Sequence, residues 1–154
     1  MEFTHYTILV VEDEETIRDL VVTFISRLGH SCVEAIDGVD ALVKMKENKI
    51  NGVVTDIRMP RMDGITLTKE ILRQYPGLPV MVMTGFSEES TGGIAITAGA
   101  SEFIQKPFSV EEFTIRLQKM LKDSETIKQI RSEKDEDDKI FDLKRELEGF
   151  LKRS

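Results

Sequence analysis

The chain has 154 residues, of which 40% are hydrophobic and 32% charged, and its formal charge is −7. This length and composition are typical of one globular domain with a short extension, long enough to bury a core. The negative charge argues against general binding to the phosphate backbone of nucleic acids, which requires a basic surface. We therefore expect no direct nucleic-acid partner.

The few cysteine and histidine residues and the N-terminus exclude further classes. One cysteine, Cys32, cannot form an internal disulfide or a cysteine-rich zinc site, and we expect it to pack in a strand. His5 and His30 are expected at the surface or in turns. Met1–His5 lacks the basic and apolar pattern of a signal peptide, and no segment approaches the roughly 20 apolar residues of a membrane span. We expect a cytoplasmic protein without membrane contact.

Short apolar segments predict a five-stranded parallel sheet. Apolar residues at consecutive positions are typical of strands buried on both faces, as in a parallel sheet covered by helices. The predicted strands are Thr7–Val11, Ser31–Ala35, Gly52–Asp56, Pro79–Thr84 and Ser101–Gln105.

Segments with helical spacing of apolar residues alternate with these strands. Asp37 is the expected N-cap of the second helix, and Ser109 with Glu112 predicts a capping box for the fifth. The segment Gly85–Gly99 predicts a poor and mobile helix, because each glycine of Gly92-Gly93 costs roughly 1 kcal/mol relative to alanine. The alternation predicts an α/β fold: a flavodoxin-like, doubly wound five-stranded parallel sheet of order 2-1-3-4-5 with a C-terminal helical extension.

The composition changes after Lys122. Residues 123–138 are dominated by charge, and a narrow apolar stripe follows, formed by Ile140, Leu143, Leu147 and either Phe150 or Leu151. Such a stripe is typical of a coiled-coil seam or of a helix docked on another surface. The break over 132–138 argues against one continuous heptad run. We predict a domain over 5–122 and a charged helical extension or linker over 123–154.

Four of the five predicted strands end in side chains that can do chemistry. These are Glu12 and Asp13 after the first strand, Asp56 at the end of the third, Thr84 at the end of the fourth and Lys106 after the fifth. Ligands of doubly wound sheets bind outside the carboxyl ends of the strands, next to the point where strand order reverses. A lone Asp after a strand is often only a cap. Several such residues at one edge favour a functional site instead.

The residue types at this edge indicate phosphoryl transfer. Glu12, Asp13 and Asp56 would repel one another and raise their pKa values unless a cation is present, and oxygen ligands without His or Cys favour Mg²⁺. Lys106 and Thr84 add an ammonium and a hydroxyl. These are the components for transfer of a phosphoryl group to an aspartate.

A set of motifs resembles the receiver domain of two-component response regulators, of the chemotaxis-regulator type, over roughly residues 5 to 122. The motifs, in chain order, are Val11-Glu12-Asp13, Thr55-Asp56, Met59-Pro60, Asp63-Gly64, Thr84-Gly85, Ala98-Gly99-Ala100 and Lys106-Pro107-Phe108. The resemblance implies that Asp56 is the phosphoacceptor and that Lys106 and Thr84 assist it. It also implies a cis peptide bond between Lys106 and Pro107.

The resemblance assigns further roles. Asp13, Asp56 and the Arg58 backbone carbonyl would bind Mg²⁺ directly, with Glu12 acting through water. The backbones of Ile57 and Gly85 would contact the phosphoryl group. Glycine at position 85 has no side chain, so the backbone there can approach the group closely. Thr84 and Phe103 would form a switch pair. Arg58 and Phe86 occupy positions that line access to the phosphoryl group in the family.

The expected function is that of a signalling switch and not of an enzyme. Its expected partners are a histidine kinase or a phosphotransfer protein, and a homodimer through the face of the fourth and fifth helices or through the C-terminal extension. The chain could be a stand-alone regulator, a relay intermediate or part of a longer protein. The rival class is a haloacid-dehalogenase-like phosphatase, which places a second Asp two residues after its nucleophile, where this chain has Arg58. A nucleotide- or flavin-binding domain would need a glycine-rich loop after the first strand, which is absent.

Overall fold

A computed structural model describes residues 4–85 and 91–152 of the chain. The chain divides into two compact units, Met1–Leu121 and Lys122–Ser154. The first contains the sheet and carries every predicted site residue.

The first unit is built on a five-stranded sheet in which all neighbouring strands are parallel. The strands are β1 (Thr7–Val11), β2 (Ser31–Ala35), β3 (Gly52–Asp56), β4 (Val80–Thr84) and β5 (Glu102–Gln105). Their order is β2-β1-β3-β4-β5. The predicted flavodoxin-like fold and strand order are confirmed. Pro79 and Ser101 lie just outside strands that we predicted to include them, although the Pro79 carbonyl accepts a hydrogen bond from the Val53 N–H at 3.0 Å.

Helices cover both faces of this sheet, which explains the uninterrupted apolar strands. The helices are α1 (Glu15–Arg27), α2 (Gly38–Glu47), α3 (Gly64–Gln74), α4 (Thr91–Thr97) and α5 (Val110–Lys152). Leu9 of β1 packs in one buried cluster with residues of α2 and α3, whereas its neighbour Ile8 packs in another with residues of α1 and α5. Because successive side chains point to opposite faces, a strand between two such clusters must be apolar at every position.

Asp37 caps its helix as predicted, and Ser109 makes one of the two hydrogen bonds of the predicted capping box. Asp37 accepts a hydrogen bond from the Asp40 N–H at 2.8 Å, and the Ser109 hydroxyl accepts one from the Glu112 N–H at 3.1 Å. The predicted poor helix over Gly85–Gly99 falls partly on residues 86–90, which lie outside the described residues. The described part contains α4, and the mobility of the segment stays a prediction.

The second unit is helical from Lys122 to the end of α5 at Lys152. The charged stretch over 132–138, which interrupts the apolar pattern, does not interrupt the helix. Within this unit the apolar side chains of the stripe are exposed, with Leu143, Leu147 and Phe150 at 59% to 71%. Over 4–85 and 91–152, no helix combines the length and the apolar character needed to cross a membrane.

Candidate functional site

Three carboxylates meet at the carboxyl edge of the sheet. The side chains of Glu12, Asp13 and Asp56 each place an oxygen within 4.8 Å of the others. They meet because β1 and β3 are parallel neighbours, with Val11 opposite Thr55, so that both strands deliver their next residue to the same edge. Glu12 is 1% exposed and Asp56 8%, whereas Asp13 is exposed.

Lys106 neutralises part of this charge. Its Nζ lies 3.2 Å from Oε2 of Glu12 and 3.2 Å from Oδ1 of Asp56. The lysine follows β5 directly, and its N–H donates to the Thr84 carbonyl at 2.7 Å, which attaches it to the end of β4. The Lys106–Pro107 peptide bond is cis, as expected. One ammonium thus contacts two of the three carboxylates.

Burial and mutual repulsion shift the acid equilibria of this cluster. Burial, together with the charge of Asp56, raises the pKa of Glu12 to about 7 even though Lys106 opposes the shift. Burial also raises the pKa of Asp56, again against the effect of Lys106. Burial disfavours the charge of Lys106, but the two carboxylates outweigh it and raise the pKa of the lysine. The site therefore carries a surplus of negative charge that a cation would relieve.

The backbone around Asp56 is fixed by hydrogen bonds. The Ile57 N–H donates to Oδ1 of Asp56 at 2.9 Å, and the Thr55 hydroxyl donates to the Asp56 carbonyl at 2.9 Å. The Gly64 N–H, at the start of α3, donates to the Ile57 carbonyl at 2.8 Å. The Ile57 amide, expected from the resemblance to contact a phosphoryl group, thus faces the carboxylate that would carry it.

The two residues of the predicted switch pair lie on adjacent strands. Thr84 is buried and its hydroxyl donates to the Ile104 carbonyl at 3.4 Å, a long hydrogen bond. Phe103 is half-buried and packs against the cluster that includes Leu9 and Val82. Gly85 is half-buried beside Thr84, and the Arg58 side chain is exposed in the loop after β3. Phe86 lies outside the described residues.

Two further contacts at this edge involve residues that the sequence patterns did not single out. Arg61 in the β3–α3 loop forms an ion pair with the buried Asp37, which we predicted only as a helix cap. Arg18 of α1 donates to the Glu12 carbonyl at 2.9 Å and to Glu34 at 3.2 Å. No sequence signal links Arg61 with Asp37 or Arg18 with Glu34, because each of these pairs joins residues far apart in the chain.

The donor set fits a hard divalent cation. Every candidate ligand side chain is a carboxylate, and the oxygens are close enough to share one ion. Mg²⁺ prefers such oxygen ligands and retains water, so one exposed carboxylate among buried ones suits it.

The fold and the site define a doubly wound α/β domain with an acidic site paired to a lysine. The family model described as the response regulator receiver domain matches residues 8–118. The chain therefore belongs to the response regulator receiver domain family. The resemblance deduced from the motifs is confirmed.

The chain is similar to several known proteins. It is 35% identical over 118 residues to the alkaline phosphatase synthesis transcriptional regulatory protein PhoP of Bacillus subtilis, covering 77% of this chain and 49% of the relative. It is 36% identical over 115 residues to the probable transcriptional regulator ycf27 of Porphyridium aerugineum, covering 75% and 48%. The receiver domain of NtrX from Brucella abortus superimposes with a TM-score of 0.72 at 38% identity, covering 75% of this chain and 98% of that one.

These relatives correct one prediction. We expected no nucleic-acid partner from the charge of −7, but PhoP and ycf27 are named as transcriptional regulators. The chain spans about half the length of these curated relatives. The exclusion was wrong because a net charge describes only the segment for which it is calculated, and says nothing of a function carried by other segments of a longer protein.

Proposed function

We propose that this domain accepts a phosphoryl group on Asp56 from a histidine kinase or a phosphotransfer protein and thereby switches a binding surface. The observation that carries the proposal is the geometry of Asp56, a buried carboxylate that lies 3.2 Å from the Lys106 ammonium and shares an oxygen cluster with Glu12 and Asp13. A nucleophile and fixed positive charge at that distance suit a reaction that depends on positioning and charge neutralisation.

In the proposed reaction an oxygen of Asp56 forms the new bond to phosphorus while the bond between phosphorus and the donor's histidine nitrogen breaks. The electron pair of that bond stays on the imidazole, which takes up a proton from solvent. Lys106 stabilises the charge on the transferred group, because its ammonium already lies beside the reacting carboxylate. The backbone N–H groups of Ile57 and Gly85 would donate to it.

Glu12, Asp13, Asp56 and the Arg58 carbonyl would hold Mg²⁺ in this proposal. When bound, Mg²⁺ neutralises the surplus negative charge and orients the phosphoryl oxygens. The raised pKa values of Glu12 and Asp56 support the need for such a cation. Asp13 is exposed and can exchange between water and metal at low cost.

The rival phosphatase is less well supported. That class needs an acid two residues after the nucleophile, and this position holds Arg58, which has no carboxyl group to act as a general acid or base.

Labelling with acetyl phosphate and Mg²⁺ tests the proposal. Intact-mass measurement should find one added phosphoryl group, absent in Asp56→Asn and lost at alkaline pH, as an acyl phosphate is. Asp13→Asn is the metal control: it should fold with unchanged or higher melting temperature, because it relieves repulsion, while Mg²⁺ binding and labelling fall. Equal labelling of the wild type and Asp56→Asn would refute the assignment.

A further inference from the structure

An ion pair attaches the loop between β3 and α3 to the start of α2. Nε of Arg61 donates to Oδ2 of Asp37 over 2.7 Å, and a second guanidinium nitrogen lies 2.5 Å from the same oxygen. The Asp37 side chain is only 4% exposed, and its other oxygen accepts the Asp40 N–H. A carboxylate this buried is costly to keep charged unless it is paired and hydrogen-bonded. Arg61 is therefore the partner that lets Asp37 remain an anion.

The backbone of Arg61 is unusual. Its φ is 69°, and it is the one residue other than glycine with positive φ in the described part of the chain. This left-handed conformation crowds the Cβ of an L-residue, and glycine or asparagine would adopt it at lower cost. Strained conformations persist where surrounding contacts hold them, and the pairing with Asp37 is such a contact here.

A second contact joins the same two segments. Met62 packs directly over Gly38, the first residue of α2, so closely that a Cβ at Gly38 would lie 2.8 Å from the Met62 Cβ. Two consecutive loop residues thus lie on two consecutive residues of the α2 start. The ion pair and the packing of Met62 together restrict the movement of the loop in more than one direction.

The α2 start is itself attached to the acidic cluster. The Glu12 N–H donates to the carbonyl of Ala35 at the end of β2, at 3.1 Å. Ile36 then donates to Oδ2 of Asp40 at 3.0 Å, which braces the turn that leads to Asp37. This turn therefore contacts two of the segments that supply proposed metal ligands, the end of β1 and the loop that carries Arg58.

We propose that Arg61 is a positioning residue for the metal site, which fixes the loop over 58–62 through its ion pair with Asp37 and so restricts the positions that the Arg58 carbonyl can adopt. The inference rests on the proposed function, in which that carbonyl is a metal ligand. Arg61 acts through the loop and touches neither the metal nor the phosphoryl group.

The charge state of the pair supports this role. Burial would raise the pKa of Asp37, but the Asp40 N–H and Arg61 outweigh it and hold the pKa below its ordinary value. The ion pair is therefore formed at neutral pH, where the loop must hold its conformation for the site to function.

The test compares Mg²⁺ binding with stability in the full chain. Arg61→Gly accommodates the positive φ but leaves the buried Asp37 carboxylate without its ion-pair partner, so its melting temperature should fall. Its Mg²⁺ affinity, measured by titration calorimetry, should fall about tenfold, the low end for groups that orient metal ligands. Arg61→Lys, which keeps the charge, should recover part of this loss. Amide exchange over 57–62 should accelerate in Arg61→Gly, with exchange in β1 and β3 unchanged.

The matched control is Arg73→Ala on α3, which removes an arginine paired with Glu70 on an exposed helix face and should bind Mg²⁺ like the wild type. Wild-type affinity in Arg61→Gly overturns the inference and leaves the proposed function intact. Absence of Mg²⁺ binding by the wild type overturns both. Should Arg61→Gly fail to fold, Asp37→Asn decides: asparagine caps helices as well as aspartate, so a folded variant with wild-type Mg²⁺ affinity overturns the inference.

Discussion

Glu12 carries the largest electrostatic cost in the metal-free site. Its pKa of about 7 means that the folded chain holds a proton there over a range in which the unfolded chain, with the ordinary value of 4.5, has released it. The folded state binds more protons between these two values, so stability falls as the pH rises from about 4.5 to about 7. A shift of this size corresponds to at most about 3 kcal/mol.

We expect Glu12→Gln, which mimics the protonated acid, to be more stable than the wild type at pH 8 in metal-free buffer. The two should converge as the pH falls below 4.5, where the wild-type carboxyl becomes protonated in the unfolded state as well as in the folded one. Urea denaturation across this pH range, with a chelator present, measures the difference.

Glu15→Gln serves as the control, because Glu15 is an exposed acid in the first turn of α1 and should show no such pH-dependent gain. If Glu12→Gln is no more stable than the wild type at pH 8, the burial of Glu12 does not impose the cost assigned to it.

At the residue scale, the sequence predicted the site residues better than the contacts that hold them in place. Glu12, Asp13, Asp56 and Lys106 could be grouped because strand order alone brings their strand ends together, and the structure does bring them together. The ion pair of Arg61 with Asp37 could not be predicted, because it depends on a loop conformation that no periodic pattern encodes. His30, expected at the surface or in a turn, is 9% exposed. It is buried because its Nδ1 accepts the Tyr6 N–H, a contact between distant segments.

Among the elements, the junction of β3 and α3 tolerates the least change. Gly64 begins α3, and a Cβ added there would lie 2.1 Å from the Asp56 carbonyl oxygen and 3.0 Å from the Ile57 Cα. These neighbours are backbone atoms, which cannot move without displacing the end of β3. Glycine allows α3 to begin directly against the end of β3 and its N–H to reach the Ile57 carbonyl.

We expect Gly64→Ala to cost about 3 kcal/mol or more, the upper range for overpacking a buried site. Phosphoryl labelling of Asp56 should fall as well, because relief of the clash must move the loop or the strand. Urea denaturation gives the stability and intact mass the labelling.

Gly93→Ala in α4 is the opposite case. A Cβ there meets no atom within 4 Å, so the substitution should stabilise the chain by roughly 0.5 to 1 kcal/mol through the helix propensity of alanine. Equal effects of the two substitutions would mean that the contact at Gly64 relaxes freely.

The elements themselves were largely predictable from the sequence. Buried parallel strands leave a strong signal, since β3 and β4 are apolar on both faces, and the caps at Asp37 and Ser109 marked helix starts. The continuation of α5 through the charged stretch was harder to predict. An apolar stripe indicates that one face of a helix is buried, and a helix surrounded by solvent can form without such a stripe.

At the scale of the whole domain, the proposed function requires that a change at Asp56 alter a surface that partners bind. Thr84 is suited to transmit this change, because it is the last residue of β4 and its hydroxyl donates a long hydrogen bond of 3.4 Å to the Ile104 carbonyl. Hydroxyl hydrogen bonds are normally about 2.5 to 3.0 Å, so little is lost when this one is given up. A charged phosphoryl oxygen would offer a shorter and stronger acceptor.

We expect beryllofluoride, a mimic of the phosphoryl group, to draw the Thr84 hydroxyl towards Asp56 and to change amide exchange in β5, where Phe103 can then turn. A ligand that binds one of the two conformations about 5.5 kcal/mol more tightly than the other would convert nearly all of the protein to that conformation. Thr84→Ser keeps the hydroxyl and should keep the response of β5. Thr84→Val keeps the shape but not the donor, so it should bind beryllofluoride and leave β5 exchange unchanged. Exchange over 102–105 that responds in Thr84→Val as it does in the wild type would show that the signal leaves the site by another route.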